Sequence, residues 1–268
     1  MIRKIVFVTG TRADFGKLSS LIDTIEKTDG FECHIFVTGM HTLEKYGNTF
    51  DEVEKKGYKN ITIFHNQTDT NQQDIILAKT ITGFSKFIKQ ISPDMIIVHG
   101  DRIETLAGAI VGSLNNILVS HIEGGEISGT VDELIRHAVT KLSHIHFAAN
   151  NDAKQRLIQL GESKNSIFVI GSPDIEVMTS VELPTINQVM GHYKIPFKDF
   201  AVFIFHPITT ELDALQQQIS EVISSLIESN KNYIVIYPNN DTGTEIILEE
   251  IKKIADIDFS NNRSIVSL

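Results

Sequence analysis

The chain has 268 residues, and with 41% hydrophobic and 22% charged residues its composition excludes a largely disordered protein. The 24 Lys and Arg against 34 Asp and Glu give a formal net charge of −10. That charge disfavours a nucleic-acid partner, because the phosphates of the polymer would be repelled, but a few local cations suffice to bind a small anion.

The single cysteine and the N-terminus predict a cytoplasmic protein. Cys33 has no partner for a disulfide within the chain, which fits a reducing compartment, and we interpret it as a small buried hydrophobic residue. The apolar stretch at residues 1–8 is too short for a signal peptide, and no apolar run approaches the length that spans a membrane. We therefore expect no membrane partner.

Short apolar runs alternate with longer amphipathic stretches up to residue 170. Strands are predicted at residues 5–9, 34–38, 61–64, 95–99, 117–122, 145–148 and 167–170. Helices are predicted at residues 15–28, 74–91, 104–114, 131–143 and 152–160. Strands this apolar, separated by helices, are typical of a parallel sheet covered on both faces. The alternation predicts a doubly wound α/β domain over residues 1–173.

A connector and a second series of elements follow. Residues 174–198 are interpreted as a helix and connector, interrupted by Pro184 and Pro196. Strands are then predicted at residues 201–205, 233–237 and 264–268, with helices at residues 211–228 and 243–255. Because two or three strands make a marginal sheet, residues 199–268 are expected to be an incomplete second domain.

The first predicted strand ends in a glycine turn that leads into a helix. Residues 10–17 read GTRADFGK, which matches neither the dinucleotide fingerprint nor the P-loop. A helix N-terminus with Arg12 and Lys17 nearby is suited to binding phosphate. An ordinary turn with solvated charges explains the same residues equally well.

Two later strands end in a histidine and a carboxylate. His99-Gly100-Asp101-Arg102 follows one strand, and residues 121–126, HIEGGE, follow the next. Neighbouring parallel strands lie ~5 Å apart, so Asp101 and Glu123 would face one pocket if these strands pair. Alternatively Asp101 and Glu126 are helix N-caps, which explains one carboxylate per loop but not the paired histidine and acid.

The next helix carries further polar residues towards the same edge. Thr130 and Glu133 fit a capping box, which leaves Asp132 in the first turn, directed at the same crevice. Arg136 would pair with Asp132 or bind an anion. His144 and His146 share a face, but a metal site needs more converging ligands, and we predict none.

Together these segments resemble the hydrolysing branch of the UDP-N-acetylglucosamine (UDP-GlcNAc) 2-epimerase family. The matching stretches are TGTRADFGKL, TGMH, VHGDRIE, HIEGGEISGTVDELIRHAVTKLSHIH, GSPD, FHPITTE and YPNND. They run from the first strand to the end of the chain. The non-hydrolysing branch shares the GTR, HGD and strand-exit glutamate features but usually lacks the GGE…SGT continuation, which favours the hydrolysing branch.

The resemblance implies a fold and a set of site residues. The fold is α/β, with two Rossmann-like domains of glycosyltransferase-B type; the second, at residues 199–268, is the nucleotide-binding one. It is expected to be incomplete, because family members continue into a later loop that holds the uridine and phosphates. The catalytic carboxylates would be Asp101, Glu123 and Asp132. The expected substrate and UDP contacts, with the first loop included, are Arg12, Ala13, Gly16, Lys17, Arg102, His121, Glu133, Arg136, His137, His206 and Asn239.

The implied reaction converts UDP-GlcNAc and water to UDP and N-acetylmannosamine, a sialic-acid precursor, by elimination and then hydration. A base removes the hydrogen on sugar carbon 2 while UDP leaves carbon 1, and water then adds to the double bond. Inverting carbon 2 needs a proton acceptor on one face and a donor on the other, which explains why several acids are required. The resemblance implies no cofactor and no metal, and it implies a homodimer or homotetramer.

Three alternatives remain at this point. The first is the same reaction on UDP-N,N'-diacetylbacillosamine, in the route to legionaminic acid. The second is a glycosyltransferase of the same fold, which would release UDP only when an acceptor is present. The third is a non-catalytic module that binds a UDP-sugar without turnover.

Overall fold

The computed structural model describes residues 2–68, 72–179, 183–238, 241–255 and 265–267, and the chain divides into two compact units. Unit 1 is Met1–Val181 and unit 2 is Glu182–Leu268. Each unit has its own sheet and its own hydrophobic core.

Unit 1 alternates strands and helices along the chain, as the sequence predicts. Its strands are β1 (Arg3–Thr9), β2 (Phe31–Val37), β3 (Ile61–Ile63), β4 (Met95–His99), β5 (Leu118–Ile122), β6 (Ile145–Ala148) and β7 (Ile167–Val169). Its helices are α1 (Arg12–Lys27), α2 (Phe50–Lys55), α3 (Gln73–Ile91), α4 (Ile103–Leu114), α5 (Thr130–Leu142), α6 (Asn151–Gln159) and α7 (Pro173–Met178). Short 3-10 turns lie at Gly39–Thr42, Glu44–Tyr46 and Lys164–Ser166.

Within the described part of unit 1, seven strands form one parallel sheet in the order β3-β2-β1-β4-β5-β6-β7. The chain winds outward from β1 to β3 and then returns past β1 to build β4 to β7. The winding direction therefore changes between β1 and β4, which is where ligands bind in open α/β sheets. The predicted doubly wound domain is confirmed.

Both faces of this sheet are buried, because successive strand residues point to opposite sides. Val6 of β1 packs with Phe84 of α3 and Val139 of α5 on one face. Phe7 packs with Leu18 of α1 on the other. Val6, Phe7 and Leu18 are fully buried, and each such side chain contributes roughly 1.5–3 kcal/mol to stability. The sheet edge that carries the loops is thus held on a rigid support.

Unit 2 is built on a smaller parallel sheet. Within its described residues three strands pair in the order β10-β9-β8, namely β8 (Ala201–Ile204), β9 (Tyr233–Ile236) and β10 (Ile265–Ser267). The helices are α8 (Ile186–His192), α9 (Leu212–Glu228) and α10 (Thr244–Ala255). Leu215, Ile219 and Ile223 recur at helical spacing and pack α9 into the core of the unit.

Two other sequence expectations concern Cys33 and membrane-spanning helices. Cys33 is buried in β2, and burial first, then the charge of Glu26, raises the pKa of its thiol to about 12. That environment suits the predicted packing residue. Across the ranges that the structure describes, no helix combines the length and the apolar character needed to cross a membrane.

Candidate active site

The carboxyl ends of β1, β4 and β5 meet at one edge of the sheet. β4 and β5 pair in parallel, with His99 opposite Ile122, so the loops that follow them are neighbours. This is the pairing under which Asp101 and Glu123 were expected to face one pocket. The Asp101 and Glu123 loops therefore lie side by side at this edge.

Glu123 receives three side-chain hydrogen bonds on its carboxylate. His99 Nε2 and Lys17 Nζ each lie 2.9 Å from Oε2, and Ser172 Oγ donates to Oε1 at 2.7 Å. The Glu123 side chain is 11% exposed, and this burial raises its pKa. The bonds from His99, Lys17 and Ser172 outweigh burial and bring the pKa well below the ordinary 4.5. Glu123 is held as a carboxylate.

The backbone of Glu123 is in the left-handed region, with a φ of 59°. Its amide donates to the Phe147 carbonyl at 2.9 Å, and its own carbonyl accepts from Arg136 Nη1 at 2.7 Å. Left-handed backbone at a residue other than glycine costs about 1–3 kcal/mol and persists where surrounding contacts impose it. Here those contacts fix the direction in which the carboxylate points.

Arg136 joins Asp101 to Glu123. Its Nη2 donates to Asp101 Oδ2 and to Ser128 Oγ, the latter at 2.8 Å, while its Nη1 holds the Glu123 carbonyl. Ser128 Oγ lies 3.2 Å from Asp101 Oδ2. The guanidinium is buried and its planar fork orients both groups. Two of the three predicted catalytic carboxylates thus belong to one cluster.

His121 is fully buried beneath the loop that carries Asp101. Its Nε2 lies 2.8 Å from the Gly100 carbonyl and must donate, so Nδ1 accepts from Thr140 Oγ1 at 3.3 Å. Desolvation lowers the pKa of His121 to about 3, so the ring is neutral. Protein groups contact both ring nitrogens, and His121 supports the loop rather than presenting an open edge.

Lys17 points at the carboxylates. Besides Glu123, its Nζ lies 3.1 Å from Asp174 Oδ2, and the side chain is 23% exposed. Burial lowers the pKa of Lys17, but hydrogen bonds and charges from Glu123 and Asp174 outweigh it and raise the pKa above its ordinary value. The cation predicted to bind phosphate therefore lies within the acidic cluster.

The first loop is organised by Asp14. Its carboxylate accepts from the Gly10 amide at 2.9 Å and from the Thr11 amide at 3.0 Å. Thr11 is the N-cap of α1 and forms a capping box with Asp14. Arg12 follows as the first residue of α1, and its Nε lies 3.1 Å from Glu52 Oε2 at an exposed position. The loop is fixed, with its cation at a helix N-terminus.

Arg102 lies in a comparable position on the neighbouring loop. It is the N-cap of α4, and its Nε lies 3.3 Å from Glu104 Oε2. Among the other predicted contacts of the first helix, Ala13 is exposed. A Cβ added at Gly16 would meet no atom within 4 Å, so α1 leaves space there.

The starts of α4 and α5 correct three sequence interpretations. The N-cap of α5 is Gly129, so the capping box proposed for Thr130 and Glu133 is wrong. Glu126 does not cap this helix either. Asp101 does not cap α4, because Arg102 occupies that position. The reason is that the chain enters both helices one or more residues after these carboxylates, which leaves the carboxylates in the loops.

Asp132, Glu133 and His137 lie in the first turns of α5. Asp132 is exposed and stands one turn before Arg136 on the same helix face. His137 Nε2 lies 4.0 Å from Glu133 Oε1. The helix brings Asp132 to the side that carries Arg136, next to the loop of Asp101.

Two predicted contacts lie in unit 2. His206 follows β8 and is exposed. Asn239 lies outside the described residues. In the ranges that the structure describes, no group of three or more His, Cys, Asp or Glu is placed to hold a metal ion.

Four cluster residues were missing from the predicted site: His99, Ser128, Ser172 and Asp174. The available signals were the histidine beside Asp101 and the sequence GSPD after a predicted strand of the same sheet. Neither sequence feature indicates which residue the histidine, serine or aspartate contacts. Ser172 is 49 residues away from Glu123 along the chain, so only the folded sheet reveals their contact.

Comparison with known proteins identifies the family that this chain resembles. The family profile described as UDP-N-acetylglucosamine 2-epimerase matches residues 23–267. A UDP-N-acetylglucosamine 2-epimerase of Neisseria meningitidis is 48% identical over 252 residues, 94% of this chain and 67% of that protein. A hydrolysing UDP-N,N'-diacetylbacillosamine 2-epimerase of Legionella pneumophila is 38% identical over 96% of this chain and 69% of that protein.

A solved structure gives the same fold. The crystal structure of a UDP-GlcNAc 2-epimerase from Neisseria meningitidis bound to UDP-GlcNAc superposes with a TM-score of 0.80 at 19% identity. The match covers 99% of this chain and 72% of that one. The chain spans about two thirds of the length of these relatives. From the matched residues and these identities, the chain belongs to the UDP-N-acetylglucosamine 2-epimerase family.

Proposed function

We propose that the chain is a hydrolysing 2-epimerase that converts UDP-GlcNAc and water to UDP and N-acetylmannosamine. The observation that carries this proposal is the cluster in which Arg136 ties the Asp101 carboxylate to the backbone of Glu123. Acids from two separate loops thereby converge at the ligand-binding edge of a doubly wound sheet. Such convergence is what proton transfer at a single sugar carbon requires.

The diphosphate is proposed to bind beside this cluster. Arg12 begins α1 and Arg102 caps α4, and both helices start at the sheet edge where β1 and β4 are neighbours. Helix N-termini and guanidinium groups favour bound phosphate and a departing diphosphate anion. These local cations offset the overall charge of −10. His206 and Asn239 are proposed to add contacts to UDP.

The carboxylates are proposed to act in two steps. In the elimination the bond from carbon 2 to hydrogen breaks, its electron pair forms the double bond to carbon 1, and the bond from carbon 1 to UDP oxygen breaks. Glu123 is held ionised, so it enters this step as the proton acceptor. In the hydration, hydroxide adds to carbon 1 and a proton reaches carbon 2 from the opposite face. Asp132, on the α5 side of the cluster, is the proposed donor.

The test is product analysis of the 268-residue chain with UDP-GlcNAc in heavy water. NMR should show free UDP and N-acetylmannosamine with deuterium at carbon 2, because the incoming proton comes from solvent. Asp101→Asn should lower turnover by about 100-fold or more. Glu126→Gln is the control from the neighbouring loop after β5, where the Glu126 carboxylate accepts from Asn150 Nδ2 at 3.1 Å, and it should leave turnover unchanged.

A second substrate has one specific observation in its favour, the 38% identity to the Legionella diacetylbacillosamine enzyme. The two UDP-sugars differ at carbons 4 and 6, away from the bond that breaks, so one acid cluster suits both. Assays of UDP release from both UDP-sugars, run side by side, separate the candidates. Release from UDP-N,N'-diacetylbacillosamine with none from UDP-GlcNAc would contradict our first choice.

Two other outcomes would replace the proposal. UDP release that requires an added acceptor would identify a glycosyltransferase. Binding of UDP-GlcNAc without turnover, unchanged in Asp101→Asn, would identify a binding module.

A further inference from the structure

We propose that Asp174 and Ser172 are positioning residues that keep Lys17 and the Glu123 carboxylate in fixed positions while Glu123 changes charge. The purpose of this arrangement rests on the proposed function. The contacts themselves come from α1, the exit of β5 and the start of α7, three elements far apart along the chain.

Lys17 is shared between two carboxylates. Its Nζ lies 2.9 Å from Glu123 Oε2 and 3.1 Å from Asp174 Oδ2. The side chain of Glu123 is 11% exposed and that of Asp174 is 40% exposed, so the two acids face very different amounts of water. The more solvated acid is suited to remain a permanent counter-ion of Lys17.

Ser172 fixes the other oxygen of Glu123. Its Oγ donates to Oε1 at 2.7 Å, while Lys17 and His99 both contact Oε2. With donors on both oxygens, the carboxylate plane cannot turn without breaking a hydrogen bond. Ser172 therefore sets which oxygen faces the cations and which orientation the carboxylate presents.

The charge balance explains the need for Asp174. When Glu123 takes the proton from carbon 2, an O–H bond forms on Glu123 and its negative charge disappears. Lys17 would then be a partly buried cation without a counter-ion if Glu123 were its only partner, and this would oppose proton acceptance. Asp174 keeps Lys17 paired before and after the transfer.

A purely structural role for Asp174 is the alternative. It lies in the first turn of α7, where an acidic residue favours the helix dipole. Glu176 lies in the same turn, is exposed, and so provides a matched control for that effect. Any consequence of charge next to Lys17 should appear in Asp174→Asn and be absent from Glu176→Gln.

The first measurement needs no activity. The Lys17 ammonium is titrated by heteronuclear NMR in the 268-residue chain and in both variants. Asp174→Asn should lower the pKa of Lys17, because a hydrogen bond and a charge that raise it are lost, and Glu176→Gln should leave it unchanged. Ser172→Ala should raise the pKa of the Glu123 carboxyl, followed by its carbon resonance, whereas Ser172→Thr should restore it.

The second measurement is kinetic. Asp174→Asn should lower kcat by about 10- to 100-fold through misplacement of the reacting carboxylate, with KM changed by less than about threefold. The acidic limb of the kcat profile should move to lower pH, since removing a negative charge makes Glu123 harder to protonate. Asp174→Glu should recover part of kcat.

The outcomes separate the two proposals. If the unaltered chain releases no UDP, the proposed function fails, and the NMR titrations still decide the positioning role. If Asp174→Asn matches Glu176→Gln in both measurements, the positioning role is overturned. A rise in KM as large as the fall in kcat would also overturn it, by making Asp174 a substrate contact. Should Asp174→Asn fail to fold, the Ser172 variants decide.

Discussion

Burial sets the protonation state of His121, and through it the shape of the loop that carries Asp101. A neutral ring can donate from Nε2 to the Gly100 carbonyl and accept on Nδ1 from Thr140. A protonated ring would lose the second of these bonds and place a charge where no water reaches it. The residue thus stabilises the site only while it is uncharged.

This gives a stability prediction with a defined sign. The pKa of His121 is about 3 in the folded chain and 6.5 ordinarily, so between these values the unfolded chain binds the extra proton. The free energy of unfolding should therefore fall as pH drops from 6.5 towards about 3, at up to ~1.4 kcal/mol per pH unit for one proton. His121→Gln, whose amide can still donate to Gly100, should lack this contribution.

The pH dependence of stability is measured by urea unfolding of the unaltered chain and of His121→Gln between pH 6.5 and about 3. The buried His41 and His146, whose pKa values are also lowered first by desolvation, are present in both proteins, so their own contributions largely cancel in the difference. Stability curves that run parallel in pH would show that His121 is not the group that titrates.

At the scale of elements, the turn after β5 shapes the site through two glycines. A Cβ at Gly124 would lie 2.8 Å from His121 Nδ1. Gly125 has a φ of +79°, and a Cβ there would lie 2.3 Å from the Ala153 carbonyl oxygen, a backbone atom of α6. The turn therefore packs against both a buried side chain and a neighbouring helix.

Gly125→Ala should destabilise the protein by about 2–4 kcal/mol, through left-handed backbone strain and overlap with α6. Gly16→Ala is the matched comparison, because Gly16 is inside α1 and its added Cβ meets nothing within 4 Å. It should raise stability by about 0.5–1 kcal/mol. Thermal unfolding of Gly125→Ala and Gly16→Ala measures the two changes in stability. Equal changes in the two variants would refute the packing argument. A raised KM in Gly16→Ala would support its predicted contact with the nucleotide.

The bounds of the helices and strands show how much of the fold could be predicted from the sequence. The strands at Met95–His99 and Ile145–Ala148 were predicted to the residue, because their apolar runs are bounded by polar or turn residues. Residues 174–198 were interpreted as a helix and connector, and the structure has two short helices there, α7 and α8, because six or seven residues are too few for a periodic pattern to bound a helix. Arg136 was expected to pair with Asp132 or to bind an anion. The structure pairs it with Asp101, and the distance of Asp101 from α5 depends on strand pairing.

At the scale of the whole molecule, the described residues of the Glu123 cluster all belong to unit 1. Lys17, His99, Arg136, Ser172 and Asp174 all precede the division between Val181 and Glu182. The sequence predicted a boundary near residue 173, at the first residue of α7, and Asp174 of that helix contacts Lys17 of α1. The boundary near residue 173 stays a prediction. It can be tested against the division between Val181 and Glu182, where unit 1 ends.

A chain of residues 1–181 should fold cooperatively and keep the Lys17 to Glu123 pair, because unit 1 has its own sheet and core. It should not turn over UDP-GlcNAc, since His206 and Asn239, the proposed UDP contacts, are removed. Unfolding curves, the Lys17 resonance and UDP release measure this against the 268-residue chain. In a fragment ending at residue 173 the pKa of Lys17 should be lower than in residues 1–181, because Asp174, its second carboxylate partner, is gone. Retained turnover in the shorter chains would contradict the assignment of UDP contacts to unit 2.

The left-handed backbone of Glu123 has a consequence for evolutionary divergence. Glycine, asparagine and aspartate adopt that conformation more readily than glutamate, so drift towards them would relax the main chain. Each of these replacements would also shorten or remove the acid that reaches Lys17 and His99. Under the proposed function, selection for thermostability and selection for turnover act in opposite directions at this position, and a descendant without the proposed chemistry would be expected to accumulate one of the three.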